Sequence, residues 1–201
     1  MICGEKVNLR PLECTDLPQL VAWRNDPEIF RGFFTPFPLS LSAQEAWFED
    51  LLKREDKKLF IIENKQGTAA GTVGFDHINW KNQRAEFGNM LVAKEHRGQG
   101  YAYDATKVAL RFGFDQMNLN RIYLEVYAWN QSAVRLYQKC GFQVEGVLRQ
   151  AYYAEGKFQD VILMSVVREE WRERFNESPP PRSREARNES IHAGSTVDPV
   201  V

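Results

Sequence analysis

The chain has 201 residues and carries 26 Lys and Arg against 27 Asp and Glu, a formal net charge of −1. So even a balance gives no reason to expect nucleic acid or a membrane as partner, no apolar run is long enough to span a bilayer, and Met1 to Lys6 lacks the shape of a signal peptide. The length suits one sizeable α/β domain and is short for two.

Val7 to Leu12 alternates and predicts a first strand, with Pro11 suggesting an edge. Thr15 or Asp16 can cap the helix that follows, which places Leu17, Leu20, Val21 and Trp23 on one face and ends at Asn25-Asp26-Pro27. Phe30 to Pro38 holds four phenylalanines and two prolines. It is too broken for a regular element and too apolar for a solvated loop. It reads either as a loop packed over the core or as one wall of a binding pocket built by Phe33, Phe34 and Phe37. Ser42-Ala43-Gln44-Glu45 predicts a capping box before a helix bearing Trp47, Phe48, Leu51 and Leu52. Leu59 to Ile62 predicts a short buried strand, and Asn64 to Gly67 a hairpin turn into a strand over 69–78.

Arg84 opens the stretch around which the rest is arranged. Phe87, Met90, Leu91 and Val92 supply a strand, Lys94 to Gly100 a polar turn with two glycines, and Ala102, Ala105, Val108, Ala109 and Phe112 a helical repeat. Free N–H groups at a helix start, with glycines that let backbone approach closely, make an anion site. It is no P-loop, because Tyr101-Ala102 stands where Lys-Ser/Thr is needed. It also misses the dinucleotide fingerprint, since Tyr103 stands at the third glycine.

A strand over 121–126 carries Glu125. Asn130 precedes an amphipathic helix with Ala133, Leu136, Tyr137 and Cys140, stopped by Gly141. Phe142 to Tyr153 and Phe158 to Val167 predict a closing hairpin. The whole predicts an α/β domain over 1–175, a mixed sheet with helices on both faces. From Asn176 the Pro-rich composition predicts a disordered tail over 176–201. Cys3, Cys14 and Cys140 are odd in number without C-x-x-C spacing, and the three histidines are isolated. This reads as reduced thiols in a cytoplasmic protein with no metal site.

The hexapeptide Arg97-Gly98-Gln99-Gly100-Tyr101-Ala102 resembles the acetyl-CoA pyrophosphate loop of the GNAT N-acetyltransferases. Asn130, Ala133, Tyr137, Gly141 and Phe142 fall at the spacing of that family's second motif. The resemblance covers residues 5 to about 170. It is closest to the group holding the ribosomal-protein N-terminal acetyltransferases and the spermidine acetyltransferases. It implies a GNAT fold, with a mostly antiparallel sheet splayed around acetyl-CoA. It implies pantetheine contacts at Met90, Leu91 and Val92, pyrophosphate contacts from Arg97 through Ala102, and cofactor-arm contacts at Asn130 and Ala133. Dimers are common in the family.

Acetyl transfer to an amine needs a neutral amine, a donor for the charge growing on the acyl oxygen, and a proton or hydrogen bond for the departing thiolate. The resemblance makes Tyr137 the acid and the backbone after Met90 the oxygen's donor. Glu125 and Glu86 are both open as base, Glu86 also as a binder of the amine, and waters with no dedicated base are a further route for the proton. Trp23-Arg24-Asn25 resembles a signature of this group, which brings Arg24 and Asn25 to the acceptor pocket's border. His77, Tyr152 and Tyr153 are further acceptor-side residues. The resemblance favours a protein N-terminal amine as acceptor. The aromatic segment favours a small amine, whether polyamine or amino sugar, free or nucleotide-linked. A non-catalytic acyl-CoA-binding module would need a broken acid or base position, and Tyr137, Glu86 and Glu125 are all present.

Overall fold

The computed structural model describes residues 1–34 and 37–175. The tail over 176–201 and Thr35-Pro36 of the aromatic segment lie outside the described residues. Eight strands form one sheet: β1 (Ile2–Cys3), β2 (Val7–Pro11), β3 (Lys58–Asn64), β4 (Ala69–Asn79), β5 (Arg84–Val92), β6 (Arg121–Tyr127), β7 (Gln143–Ala154) and β8 (Lys157–Val167). Their order is β1-β2-β3-β4-β5-β6-β8-β7, antiparallel everywhere except between β5 and β6.

Strand alternation sends side chains to two cores. On β3, Ile62 joins the larger core while its neighbour Ile61 faces the other way, and both are fully buried. Burying such a side chain is worth about 1.5–3 kcal/mol. The larger core takes α4 (Tyr101–Asp115) through Val108, Ala109 and Phe114, α5 (Gln131–Lys139) through Val134 and Tyr137, and α6 (Arg168–Phe175) through Trp171. The smaller core takes Leu17 and Leu20 of α1 (Leu17–Asn25) and Phe48 of α3 (Leu41–Lys53). Helices therefore cover both faces. Gly71 on β4 lies so close to β5 that a Cβ would collide with the Leu91 carbonyl oxygen, so no larger residue fits.

Some boundaries differ from the sequence expectation. The α3 cap is Ser40, whose hydroxyl accepts from the Ala43 N–H at 3.2 Å, two residues before the expected Ser42. Asp16 stands at the α1 N-cap position without capping it. Its carboxylate is taken by Arg10 at 2.7 Å and by the Glu13 N–H at 2.9 Å. A short helix, α2 (Pro27–Phe30), leads into the aromatic segment, because Asp26 accepts from the Glu28 N–H at 2.8 Å and Pro27 suits a first helical position. Neither β1 nor α6 was expected. Among the described residues no helix is long and apolar enough to cross a membrane.

Candidate active site

β5 and β6 begin paired and then part. Only Arg84, Ala85 and Glu86 pair with Arg121, Ile122 and Tyr123; from Phe87 and Leu124 onward the facing edges have no strand partner. A seam of free backbone donors and acceptors opens between them. On its other edge β5 is disturbed as well, since Asn89 and Met90 together face only Val73. Asn89 holds a left-handed conformation, φ +53°. It is fastened there by its side chain, which donates to Asp76 at 2.6 Å, and by its carbonyl, which accepts from the Thr72 hydroxyl at 2.7 Å. Such a bulge re-aims the backbone of the next residue, Met90.

At the end of β5 the chain turns through Gly98 and Gly100, φ +76° and +82°, into α4. The N–H groups of Gly98, Gln99 and Gly100 have no acceptor among the described residues. The first turn of α4 adds its own unpaired N–H groups. Backbone edges and amide turn together fit an extended, amide-bearing ligand with an anionic group at one end, as the resemblance to an acetyl-CoA site implies.

The seam opens into a cleft of about 670 Å³. It gathers Arg24, Phe33, His77, Glu86, Met90, Leu91, Val92, Arg97, Ala102, Glu125, Asn130, Ala133 and Tyr137 from six elements and three loops. Gly98 to Tyr101 sit beside the cleft without lining it. Asn25 does not reach it either. Its side chain is spent on Leu39, donating to the carbonyl at 2.8 Å and accepting from the N–H at 2.7 Å. Phe37 is 71 % exposed and forms no wall, and Tyr153 packs outward against Phe158.

Tyr137 is buried between Phe87 and Phe142, and burial pushes its phenol well above the ordinary value. Asn130 caps α5, its Oδ1 accepting from the Ala133 N–H at 3.2 Å, which leaves its amide N–H₂ for a ligand. Glu86 faces His77 Nδ1 at 2.8 Å. Glu125 accepts from the Tyr152 hydroxyl at 3.0 Å; burial first, and then this bond, push the Tyr152 phenol up to about 12. Arg24 lies over the Phe33 ring at 3.8 Å, and burial lowers its pKa. Arg97 lies 3.6 Å from Glu28, which also takes Lys94 at 2.7 Å. Cys140 is fully buried, and that burial pushes its thiol up to about 12.

The pairing of Phe34 with Tyr152 and the neighbours Tyr127 and Trp129 escaped the sequence reading. Phe34 stacks on Tyr152 at 4.1 Å and meets Tyr127 edge-on at 4.7 Å, and Trp129 stacks on Tyr127 at 5.4 Å. The aromatic wall is thus made by Phe34 with residues about a hundred positions later. Asn89 and Glu28 also went unnoticed, having no local motif. Among the described residues no cluster of His, Cys, Asp and Glu is arranged to hold a metal ion.

Comparison with known proteins agrees with this geometry. A GNAT acetyltransferase domain matches residues 6–143. Spermidine N(1)-acetyltransferase of Escherichia coli K12 is 30 % identical over 172 residues, covering 85 % of this chain and 91 % of the relative. An uncharacterised N-acetyltransferase of Bacillus licheniformis is 33 % identical over 171 residues, covering 83 % and 96 %. The crystal structure of spermidine N-acetyltransferase from Vibrio cholerae with CoA and spermine superposes with a TM-score of 0.79 at 32 % identity, covering 83 % of this chain and 98 % of that one. The parted strands, the amide turn and these matches agree on one conclusion: the chain belongs to the GNAT family and is an acetyl-CoA-dependent N-acetyltransferase.

Proposed function

We propose that the acceptor is a small polyamine, and that its amine attacks directly in a ternary complex. The observation that carries this is the mouth of the cleft, where the carboxylates of Glu86 and Glu125 lie beside the aromatic wall of Phe34, Tyr127 and Tyr152. Carboxylates and aromatic faces both attract ammonium groups. A polyamine offers one amine to react and others to be held. The spermidine enzymes among the relatives support the same reading. The protein N-terminal acceptor favoured by the sequence resemblance gives way to this alternative.

Acetyl-CoA supplies the activated acyl group and a thiolate leaving group. The edges of β5 beyond Phe87 hold the pantetheine arm as an added strand would, and the turn from Arg97 through Ala102 takes the diphosphate. The backbone at the Asn89–Met90 bulge donates to the acyl oxygen as charge grows there. Glu125 or Glu86 receives the amine's proton, and the protonated Tyr137 hydroxyl hydrogen-bonds the departing sulfur. Cys140 forms no acyl-enzyme, because a fully buried thiol held near 12 has almost no thiolate at neutral pH.

The test is thiol release from acetyl-CoA with spermidine, spermine, glucosamine, and short peptides beginning with Ala or Ser. Saturable release with the polyamines alone is the expected result. Preference for a peptide or an amino sugar overturns the assignment of the acceptor.

A further inference from the structure

We infer that Lys6, far from the cleft in sequence and outside both motifs, is a positioning residue that sets the amide turn for diphosphate; this rests on the proposed role of Arg97 to Ala102. The Lys6 ammonium donates to the Gln99 carbonyl at 2.9 Å. In a trans peptide the C=O and the following N–H point in opposite directions. Holding the Gln99 oxygen on the β2 side therefore turns the Gly100 N–H to the other side, and that N–H has no acceptor among the described residues. The peptide joins Gln99 to Gly100, and Gly100 is at positive φ. A peptide followed by glycine flips more easily than one between two residues with a Cβ, so an external tether decides which face it shows.

The tether is itself anchored. Asp104, in the first turn of α4 and 7 % exposed, accepts from the N–H groups of Glu5, Lys6 and Val7 at 3.3, 2.7 and 2.9 Å. Lys6 thus grips the turn by its side chain while its backbone is bound to the helix that the turn opens. Packing leaves little slack. A Cβ on Gly4 would lie 2.6 Å from the Asp104 carboxylate, and one on Gly100 would lie 2.9 Å from the Lys6 nitrogen. Lys6 acts through the peptide, on the side opposite its free N–H, and does not touch the ligand.

The experiment compares binding of CoA with binding of pantetheine, which lacks the diphosphate, by titration calorimetry. Lys6→Met should weaken CoA roughly three- to tenfold, as expected for the net worth of one hydrogen bond at a surface. It should leave pantetheine binding and the thermal midpoint of the free protein unchanged. Lys6→Arg should restore CoA binding, and the loss should persist at high salt. Unchanged CoA affinity in Lys6→Met overturns the inference, and so does an equal loss for both ligands. A loss that vanishes at high salt also overturns it, in favour of screened charge attraction. Should the wild-type protein bind CoA no more tightly than pantetheine, the turn holds no diphosphate; that failure of the earlier reading is visible before any variant is made.

Discussion

Tyr137 has a phenol that burial keeps protonated across the physiological range, and its neighbours Phe87 and Phe142 hold the ring. Tyr137→Phe keeps the ring and removes the proton. We expect kcat to fall by about a hundredfold or more, with CoA affinity within about twofold of wild type; equal kcat would remove Tyr137 from the chemistry. The two carboxylates can be told apart by which constant moves. A base variant, Glu125→Gln or Glu86→Gln, should lose kcat most at neutral pH and recover as rising pH deprotonates the amine in solution. A variant of an amine-holding carboxylate should raise the acceptor KM and show no such recovery. At this scale the sequence was most informative where residues sit near one another along the chain. Asn130, Ala133, Tyr137 and Gly141 share one helix and its two ends. Glu28, Asn89 and the Phe34–Tyr152 stack depend on contacts between distant segments, and no local pattern encodes those.

Among the elements, β7 is the outermost strand next to β8, exposed along nearly its whole length. One anchor is Glu145, which accepts from Arg121 of β6 and from the Ser165 hydroxyl of β8 at 2.7 Å. The Arg121 guanidinium chiefly holds the Glu145 carboxyl down at about 2, against an ordinary 4.5. A depressed carboxylate stabilises the fold fully above the unfolded-state value and loses that contribution as pH falls through the folded one. The stability advantage of wild type over Glu145→Gln, measured by urea unfolding, should therefore be flat above about 4.5 and fade toward about 2. Long alternating or helical runs made most elements legible. α6 was not, because its two apolar residues, Trp171 and Phe175, make a single i, i+4 pair among charged residues, and the two-residue β1 is too short to show any period. The α3 start was misjudged because Ser40 and Ser42 are both plausible caps, and the backbone decides between them.

At the level of the whole molecule, two cores lie on opposite faces of one sheet, and Trp171 closes the larger one against Phe114 at 5.5 Å. Trp171→Ala should cost about 3–5 kcal/mol in urea unfolding; a cost below about 1 kcal/mol would mean that α6 is peripheral. The GNAT architecture was legible because both motifs flank the β5–β6 junction, while strand order beyond that parallel pair is a matter of global packing. The junction also has a consequence for dynamics. With three paired residues on each strand, β1–β5 and β6–β8 are two half-sheets joined at one end, and water reaches the amides between them. A bound CoA arm should work as a removable seam that makes the two halves exchange hydrogen as one body. Amides of Phe87 to Leu91 should slow in deuterium exchange on adding CoA, while those of Val7 to Leu9, stitched to β3 throughout, keep their rate.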